Sequence, residues 1–418
     1  MADVDRRYDL YGPDFKRDPY PTFAAMRREA PIYQQPGLDG KTPIWFVTRY
    51  ADVEAMLRDP RFVRDPARAL PPEKLPPSTP LDDLLIRNML GVDGADHRRL
   101  RDLVSQGFTP KRVADLRPRV EAVADMLLAP LVTRGEADLI DAFAFPLPTI
   151  VILEMLGVPA DDHVRFRAWA NALIEPAMTP EKLAEATRLL TEFTDYLRAL
   201  FAERREQPRD DLLSALIAAE RAGDRLSENE LFSTMVLLIV AGHETTVNLI
   251  ANAVLALSER PDLRDALAAD PSGLPRAIEE FLRFDGSVER ALNRFAAEDV
   301  EWGGQLIRRG DPVIFILSSA NRDEARFEHP DELDPERAPN PHVAFGKGIH
   351  YCLGAPLARL ESEVALRALL TRLPNLRLAV PRETLRYRFL PGFRALEALP
   401  VRWDVGAPAA VATADPGA

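Results

Sequence analysis

The sequence has little cysteine, no excess of positive charge and no apolar run at its N-terminus. A single cysteine, Cys352, stands among 418 residues, so no disulfide can form within the chain and a reducing compartment is expected. The formal net charge is -12, which disfavours nucleic acid as a partner. Because the first residues are polar, we expect neither a signal peptide nor a membrane anchor, and we place the protein in the cytoplasm.

The sequence also lacks a linker and an internal repeat. A single domain over residues 1–418 is therefore predicted. Residues 406–418 are alanine-rich and polar, and we expect them to form a disordered tail. Residues 60–80 are proline-rich and are predicted to form a surface loop.

The longest helical pattern begins at a capping box, Ser227 to Glu230, and ends before Pro261. At 1.5 Å per residue such a helix is roughly 50 Å long. Its apolar segment, residues 231–240, is too short to span a membrane, so the pattern predicts a buried central helix.

A polar motif interrupts this helix at its middle, namely Ala241-Gly242-His243-Glu244-Thr245-Thr246. A glycine, an acid and two threonines are costly inside a buried helix. One interpretation is a helix kink with satisfied polar groups, and the other is a functional groove. His243 is not expected to be a metal ligand.

The lone cysteine lies in a glycine-rich stretch, Phe345-Gly346-Lys347-Gly348-Ile349-His350-Tyr351-Cys352-Leu353-Gly354. Glycine lets the backbone approach a bulky partner closely. Pro356 then marks a helix start, whose free amides and positive dipole end favour a thiolate. A small buried apolar cysteine is the alternative, but it would require the glycines, the histidine and the helix start to coincide by chance.

The spacing Phe-Gly-x-Gly-x-His-x-Cys-x-Gly closely resembles the haem-binding loop of the cytochrome P-450 family of haem-thiolate monooxygenases. The resemblance runs from about residue 10 to residue 404. It implies a mainly α fold with small β-sheets, in which haem b lies between the long central helix and the cysteine loop. Cys352 would be the axial iron ligand, a thiolate that favours O–O cleavage.

The resemblance also implies roles for the other motifs. The haem-binding positions would be His97, Arg101, Ala241, Gly242, Arg294, Phe345, Gly346, His350, Cys352 and Gly354. The propionates would be held by His97, Arg101, Arg294 and His350, with Arg290 competing for the place of Arg294. For Arg98 and Arg99 a solvated basic face is the preferred interpretation.

In the central helix, the resemblance implies that Gly242 gives room for dioxygen. Glu244 and Thr245 would form an acid–alcohol pair that relays protons. Outside the pocket, Glu280, Arg283 and Arg337 match a structural cluster of the family.

The implied reaction inserts one oxygen atom from dioxygen into a small apolar organic substrate. Electrons would come from a ferredoxin or flavodoxin with an NAD(P)H-dependent reductase, since little sequence follows the cysteine loop. The protein is expected to be a monomer that contacts neither membrane nor nucleic acid. Two alternatives remain open: a peroxygenase of the same fold, driven by hydrogen peroxide, and a non-enzymatic haem-thiolate sensor.

The sequence also predicts the walls of the pocket and a docking surface for the electron donor. Pocket walls are expected from segments that are largely apolar, namely residues 60–90, 165–185, 239–245, 286–293 and 390–396. They do not identify the substrate. An acidic electron donor is expected to dock beside the cysteine, on a basic cluster formed by Arg98, Arg99, Lys347 and Arg359.

Overall fold

A computed structural model describes residues 7–75, 87–159, 162–221 and 226–405. The tail predicted at 406–418 and part of the proline-rich segment lie outside these described residues. The α-helices of the described residues are α1 (Pro13–Arg17), α2 (Tyr20–Glu29), α3 (Tyr50–Arg58), α4 (Gly94–Ser105), α5 (Pro110–Asp115), α6 (Arg117–Leu128), α7 (Pro146–Leu156), α8 (His163–Ile174), α9 (Pro180–Glu206), α10 (Leu212–Arg221), α11 (Glu228–Glu259), α12 (Pro261–Ala269), α13 (Leu274–Asp285), α14 (Leu317–Ala320) and α15 (Ala355–Arg372).

The strands are short and form three small sheets. They are β1 (Ile32–Pro36), β2 (Pro43–Val47), β3 (Phe62–Val63), β4 (Glu136–Asp138), β5 (Arg294–Ala296), β6 (Val300–Trp302), β7 (Gln305–Ile307), β8 (Pro312–Phe315), β9 (Arg377–Leu378) and β10 (Pro400–Arg402). The sheet orders are β1-β2-β8-β5-β3, β4-β10-β9 and β6-β7. In the first sheet β1 and β2 are antiparallel, whereas β2 runs parallel to β8, with Trp45 opposite Val313. The sequence did not indicate β4, which pairs with the distant β10.

Helix α11 is the centre of the fold. The predicted capping box is present: the side chain of Ser227 accepts the amide of Glu230 at 3.2 Å, and the Glu230 carboxylate accepts the amide of Ser227 at 2.8 Å. The helix packs against α7, α13 and α15 inside the largest apolar cluster. Among the described residues it alone is long and apolar enough to cross a membrane, but 72% of its most apolar window is buried in the fold. The core therefore accounts for its apolar composition.

A buried ion-pair cluster joins α13 to the segment that leads into the cysteine loop. Arg283 donates from Nη2 and Nε to the two oxygens of Glu280 at 2.7 and 2.8 Å. Nε of Arg337 lies 3.3 Å from the same carboxylate. The predicted contact of these three residues is confirmed, and it fixes the approach of the chain to residue 345.

A cavity between the central helix and the cysteine loop

A largely apolar cavity lies between α11 and the cysteine loop, residues 345–354. From α11 it is lined by Leu237, Leu238, Ala241, Gly242, Thr245, Thr246 and Leu249. Other walls come from Leu57, Met89, Leu90, Phe108, Val288, Ala291 and Leu292. The expected contributions from 165–185 and 390–396 are not found, because no described residue of either range lines the cavity.

Two glycines give the cysteine loop its shape. Gly346 and Gly348 have φ angles of 69° and 73°, in the left-handed region that favours glycine. A Cβ on Gly348 would also lie 2.6 Å from the carbonyl oxygen of Leu57. Gly354 differs, because an added Cβ would meet no atom within 4 Å. There the glycine keeps the cavity open rather than allowing a turn.

The thiol of Cys352 opens into this cavity. Its backbone amide donates to the carbonyl of Phe345 at 2.9 Å, and α15 begins at Ala355 with a proline in its first turn, as predicted. Burial raises the pKa of the Cys352 thiol, and the amides of Gly354 and Ala355 with the charge of Arg101 oppose that rise. The donors that would stabilise a thiolate are therefore in place, but a bound cation is needed to favour that form.

One edge of the cavity is basic. Arg64, Arg101, Arg294 and His350 all line it. Among the described residues, neither Arg64 nor Arg294 forms an ion pair. Burial lowers the pKa of both to about 10, and the charge of Arg294 adds to the effect on Arg64. Arg64 was missed because nothing in its local sequence distinguishes it from a solvated arginine.

Arg290, the competitor of Arg294, lies elsewhere. Its Nε donates to Glu289 at 2.8 Å and its Nη2 to the carbonyl of Leu10 at 2.6 Å, and it does not line the cavity. Arg294 instead donates from Nη1 to the carbonyl oxygens of Leu57 and Phe62 at 3.0 and 3.3 Å. Of the two arginines, only Arg294 is placed to meet a ligand in the cavity.

His97 lies one layer behind His350, with ring centroids 4.5 Å apart. His97 is buried, and neither of its ring nitrogens has a hydrogen-bond partner. Burial, followed by the charges of His350 and Arg101, lowers the pKa of His97 to about 4. A buried imidazole without a partner lacks an acceptor that a ligand could supply.

Asp93 organises this basic edge, although the sequence did not single it out. Its Oδ1 lies 3.4 Å from Nε2 of His350, and its Oδ2 accepts the amides of Arg64 and Asp65 at 2.7 and 2.8 Å. Burial by itself would raise the pKa of Asp93, but these hydrogen bonds hold it below its usual value. The carboxylate thereby ties the loop that carries Arg64 to the cysteine loop.

The cavity fits an apolar cofactor that carries a metal and carboxylates. A sulfur ligand lies on one wall and apolar side chains form the others. The basic edge holds guanidinium groups that have no ion-pair partner among the described residues, and the unpartnered imidazole of His97 lies behind it. Haem has all three features. The fit rests on cations that have no anionic partner among the described residues of the protein.

The polar motif of α11 is divided between two sides of the helix. Thr245 lines the cavity and donates from Oγ1 to the carbonyl of Ala241 at 3.0 Å. Glu244 does not line the cavity; its buried carboxylate receives Nη1 of Arg388 at 2.8 Å and Nδ2 of Asn248 at 3.2 Å. The expected acid–alcohol pair is therefore not assembled in this conformation.

Gly242 was expected to make room for dioxygen, but in the structure its missing side chain has another effect. A Cβ at this position would lie 2.6 Å from Cγ1 of Ile152 on α7. The glycine thus allows α7 and α11 to pack closely. His243 is buried on α11, with Nδ1 2.7 Å from the carbonyl of Ile239, and it does not line the cavity.

Glu361 on α15 is a second acid that the sequence did not indicate. It is fully buried and lines the cavity, with Thr246 of α11 beside it. Burial raises its pKa well above the usual value. In the sequence it follows Arg359 as an ordinary charged helix residue, so no local signal could have found it.

The expected basic docking cluster is smaller than its sequence suggested. Arg99 pairs with Glu230 at 2.6 Å and with Asp96 at 3.0 Å. Arg359 pairs with Glu279 at 2.6 Å. Of the four expected cations, only Arg98 and Lys347 form no ion pair among the described residues.

The segments that contain the central helix and the cysteine loop are matched by a protein-family model. The family model described as "Cytochrome P450" matches residues 162–270 and 274–384, more than half of the chain. This chain belongs to the cytochrome P450 family. Cytochrome P450 107B1 of Saccharopolyspora erythraea is 46% identical over 396 residues, which cover 93% of this P450 and 96% of the relative. The vitamin D(3) 25-hydroxylase of Pseudonocardia autotrophica is 44% identical over 398 residues, covering 94% and 96%.

Comparison with solved structures leads to the same family. A myxobacterial cytochrome P450, CYP267B1 in complex with myristic acid, superimposes with a TM-score of 0.91 at 40% identity, covering 96% of this P450 and 100% of that chain. The predicted fold, mainly α with small sheets, is confirmed. This P450 is an oxidoreductase, a haem monooxygenase that acts on organic substrates with redox partners.

Proposed function

We propose that this P450 is a cytoplasmic haem b enzyme of one domain that inserts one oxygen atom from dioxygen into an apolar organic substrate. A separate ferredoxin or flavodoxin, reduced by an NAD(P)H-dependent reductase, supplies the electrons. The observation that carries the proposal is the thiol of Cys352 facing an apolar cavity, whose edge holds two arginines with no ion-pair partner among the described residues. Haem bound there would supply the iron that activates dioxygen.

Cys352 holds the iron, with the amides of Gly354 and Ala355 stabilising the negative charge on sulfur. Arg101, Arg294, His97 and His350 hold the propionates, since guanidinium and imidazole groups suit carboxylates. Arg64 joins them, because it lines the same edge and forms no ion pair within the part of the chain that the structure describes.

Thr245 and Glu244 have different roles in proton transfer. Thr245 holds a proton at Oγ1 on the cavity side, where a hydroxyl can both donate and accept hydrogen bonds. Glu244 returns a proton to Thr245 and must turn from its present position to do so, because its carboxylate faces Arg388. Phe345, Gly346 and Ala241 shape the space around the cofactor.

The substrate has a sizeable apolar part. The cavity wall is formed by aliphatic side chains that include Met89, Leu237, Val288 and Leu292. One relative is named as a hydroxylase of vitamin D(3), and a similar structure holds myristic acid. Both molecules are long and apolar, which agrees with a wall of this composition.

The spectrum of the reduced, CO-bound protein tests the proposal. Haem-loaded protein should show the strongly red-shifted Soret band of thiolate ligation, and Cys352→His should abolish it. Ile349→Ala, at an exposed position of the same loop, should retain the band. Apolar ligands that shift the Soret band of the oxidised protein would then serve as substrates.

Turnover of such a substrate with dioxygen, reductase and ferredoxin should give the oxygenated product. Thr245→Ala should leave substrate affinity nearly unchanged and divert reducing equivalents to hydrogen peroxide. If the red-shifted Soret band of the reduced, CO-bound protein survived Cys352→His, the ligand assignment would be overturned. Efficient product formation from hydrogen peroxide alone, with no response to the electron donor, would instead support a peroxygenase.

A further inference from the structure

A buried lysine near the start of the chain, Lys16, lies behind one wall of the cavity. The wall segment, residues 287–292, leads from α13 to β5. Its cavity-lining residues are Ser287, Val288, Ala291 and Leu292. Glu289 and Arg290, which come between them in the sequence, are buried but do not line the cavity. The segment therefore presents apolar side chains to the cavity and its two charges to another part of the fold.

The charges behind the wall come from three parts of the chain. Nε of Arg290 donates to Oε1 of Glu289 at 2.8 Å, and Nζ of Lys16 on α1 lies 3.6 Å from Oε2 of the same carboxylate. The ammonium group also donates to the carbonyl oxygens of Leu390 and Phe393 at 3.1 and 3.3 Å. One lysine thus joins α1, the wall segment and the segment that contains Leu390.

This last segment, residues 390–394, is itself paired with the wall. The amide of Glu289 donates to the carbonyl of Gly392 at 2.8 Å, and the amide of Arg394 donates to the carbonyl of Ser287 at 2.9 Å. Lys16 therefore contacts the wall in two ways, through the carboxylate of Glu289 and through the backbone with which the wall pairs.

The same arginines hold the N-terminal part of the chain in place around the lysine. Nη2 of Arg290 donates to the carbonyl of Leu10 at 2.6 Å, and Nη1 of Arg394 donates to the carbonyl of Lys16 itself. Helix α1 has only five residues, too few to be stable without such contacts. The position of the ammonium group is therefore fixed by the segments that it contacts.

The positive charge of Lys16 is costly at this place, because only 5% of its side chain is exposed. Burial lowers its pKa to about 8; the charge of Glu289 opposes this fall, and the charges of Arg290 and Arg394 add to it. In the folded protein Lys16 is therefore charged below about pH 8 and becomes neutral as the pH rises through that value. Glu289 then keeps Arg290 as its partner.

The other charges around the lysine are paired. Asp285 receives Nε of Arg394 at 3.1 Å and the hydroxyl of Tyr20. On α1 itself, Asp14 and Arg17 form an exposed ion pair at 2.6 Å, which contributes little. Among these groups and the lysine, the ammonium is the one whose charge changes between about pH 7 and pH 9.

We propose that Lys16 is a positioning residue whose charge holds the wall segment in the shape that packs against an apolar substrate. Without that charge, the carboxylate of Glu289 and two backbone carbonyls lose a shared donor, and the wall loosens. The N-terminal part of this P450 thereby affects substrate affinity, although no described residue before Leu57 lines the cavity. The inference rests on the proposed function, because it takes the wall to contact the substrate.

Amide hydrogen exchange in the full chain tests the effect on the wall without haem or turnover. Lys16→Met keeps the length of the side chain and removes its charge. It should speed exchange at residues 289–291, whose amides donate to backbone carbonyls, about tenfold at pH 7, as expected for the loss of a hydrogen bond from a charged group. Arg17→Gln removes a cation from an exposed position of the same helix and should leave this exchange unchanged. Parent-like exchange in Lys16→Met would overturn the proposal.

Two azoles that coordinate haem iron give the second readout, through the Soret shift of the haem-loaded protein. Clotrimazole is bulky and apolar and would fill the cavity, whereas imidazole is too small to reach the wall. Between pH 7 and pH 9 the affinity of the parent for neutral clotrimazole should fall about fivefold, part of what a hydrogen bond from a charged group contributes. Its affinity for neutral imidazole should stay constant. Lys16→Met should bind clotrimazole at pH 7 as weakly as the parent does at pH 9, with no further fall.

The pH profile separates a positioning role from a merely structural one. If Lys16→Met weakened clotrimazole binding but kept the fall of the parent between pH 7 and pH 9, another group would titrate and the role of Lys16 would be overturned. The same conclusion would follow if the parent bound clotrimazole equally at both pH values, a result that requires no variant. Equal weakening of imidazole would place the damage outside the wall and would also count against the proposal. A missing thiolate Soret band would overturn the proposed function and leave the exchange result unaffected.

Discussion

Two groups of buried and half-buried arginines in this P450 have opposite surroundings. Arg283 and Arg337 share the carboxylate of Glu280, and Arg283 also donates to backbone carbonyls, including that of Asn321 at 3.0 Å. Arg64 and Arg294 donate to carbonyls as well, but neither forms an ion pair among the described residues. The first cluster is complete in the sense that each arginine has a carboxylate partner, whereas neither arginine of the second has one among the described residues.

The difference separates a structural cluster from a binding site. Burying a cation without an anion costs free energy, and the pKa of Arg64 and of Arg294 is lowered to about 10 mainly by burial. Arg64 and Arg294 lie at the edge of a cavity, where a bound ligand can supply the missing anion and offset that cost. The Glu280 cluster lies away from the cavity and supports the path of the chain.

Breaking the complete cluster should give the largest effect. Glu280→Gln leaves Arg283 and Arg337 without their carboxylate, and loss of one partner from a buried ion pair costs about 3–5 kcal/mol. The free energy of unfolding of the cofactor-free protein, from guanidinium titration, should fall by that amount. Arg188→Gln, which removes an exposed pair with Glu185, should change it little. A loss below about 1 kcal/mol at Glu280 would show that the cluster is not structural.

Removing Arg294, which belongs to the cluster without a carboxylate, should not destabilise the cofactor-free protein. Arg294→Gln should leave its thermal stability unchanged or raised, because an unpaired buried charge is lost. Retention of haem should weaken about tenfold, as expected for one charge-assisted hydrogen bond, and is measured as the rate of haem transfer to excess apomyoglobin.

Arg290→Gln is the matched comparison for that experiment, since Arg290 is buried beside Glu289 and does not reach the cavity. It should destabilise the cofactor-free protein by about 3 kcal/mol and leave haem retention near the parent level. The assignment of Arg294 to the propionate would be lost if the two variants exchanged these results.

The smallest expected effect concerns His97 and pH. Its folded pKa of about 4 lies below the ordinary 6.5, so between these values the unfolded chain binds a proton that the folded protein does not. Stability of the cofactor-free protein should therefore fall as pH falls through this window, by about 1–2 kcal/mol at this site. His97→Gln should show a shallower decline in denaturant titrations at pH 6.5, 5.5 and 4.5. Parallel declines would mean that His97 is charged in the folded state.

Local sequence predicted the elements whose chemistry is local. The capping box at Ser227, the turns at Gly346 and Gly348 and the helix that follows Cys352 depend on neighbouring residues, and each was found where expected. The meeting of Glu280 with Arg337 spans 57 residues, and it was predicted only through a family motif.

The residues that the sequence missed are charged side chains whose surroundings come from distant segments. Asp93 meets a histidine 257 positions away, and Arg388 meets Glu244 across 144 positions. Arg64 and Glu361 have ordinary neighbours in the chain and become unusual only on burial. Arg99 is the reverse case. The sequence suggests a free charge available for docking, whereas in the folded protein Glu230 pairs with it.

The sequence by itself determined the family, through the resemblance of its cysteine motif to a known one. It also determined the cysteine loop and the position of the long central helix, because these two follow from glycine conformation, capping and apolar periodicity over short spans. Only the tertiary structure decided which arginine faces the cavity, that Gly242 serves the packing of α7 on α11, and that Glu244 faces Arg388 instead of Thr245. The physical reason is that the environment of a charge is set by everything packed around it. For these residues, most of that environment comes from parts of the chain far away in sequence.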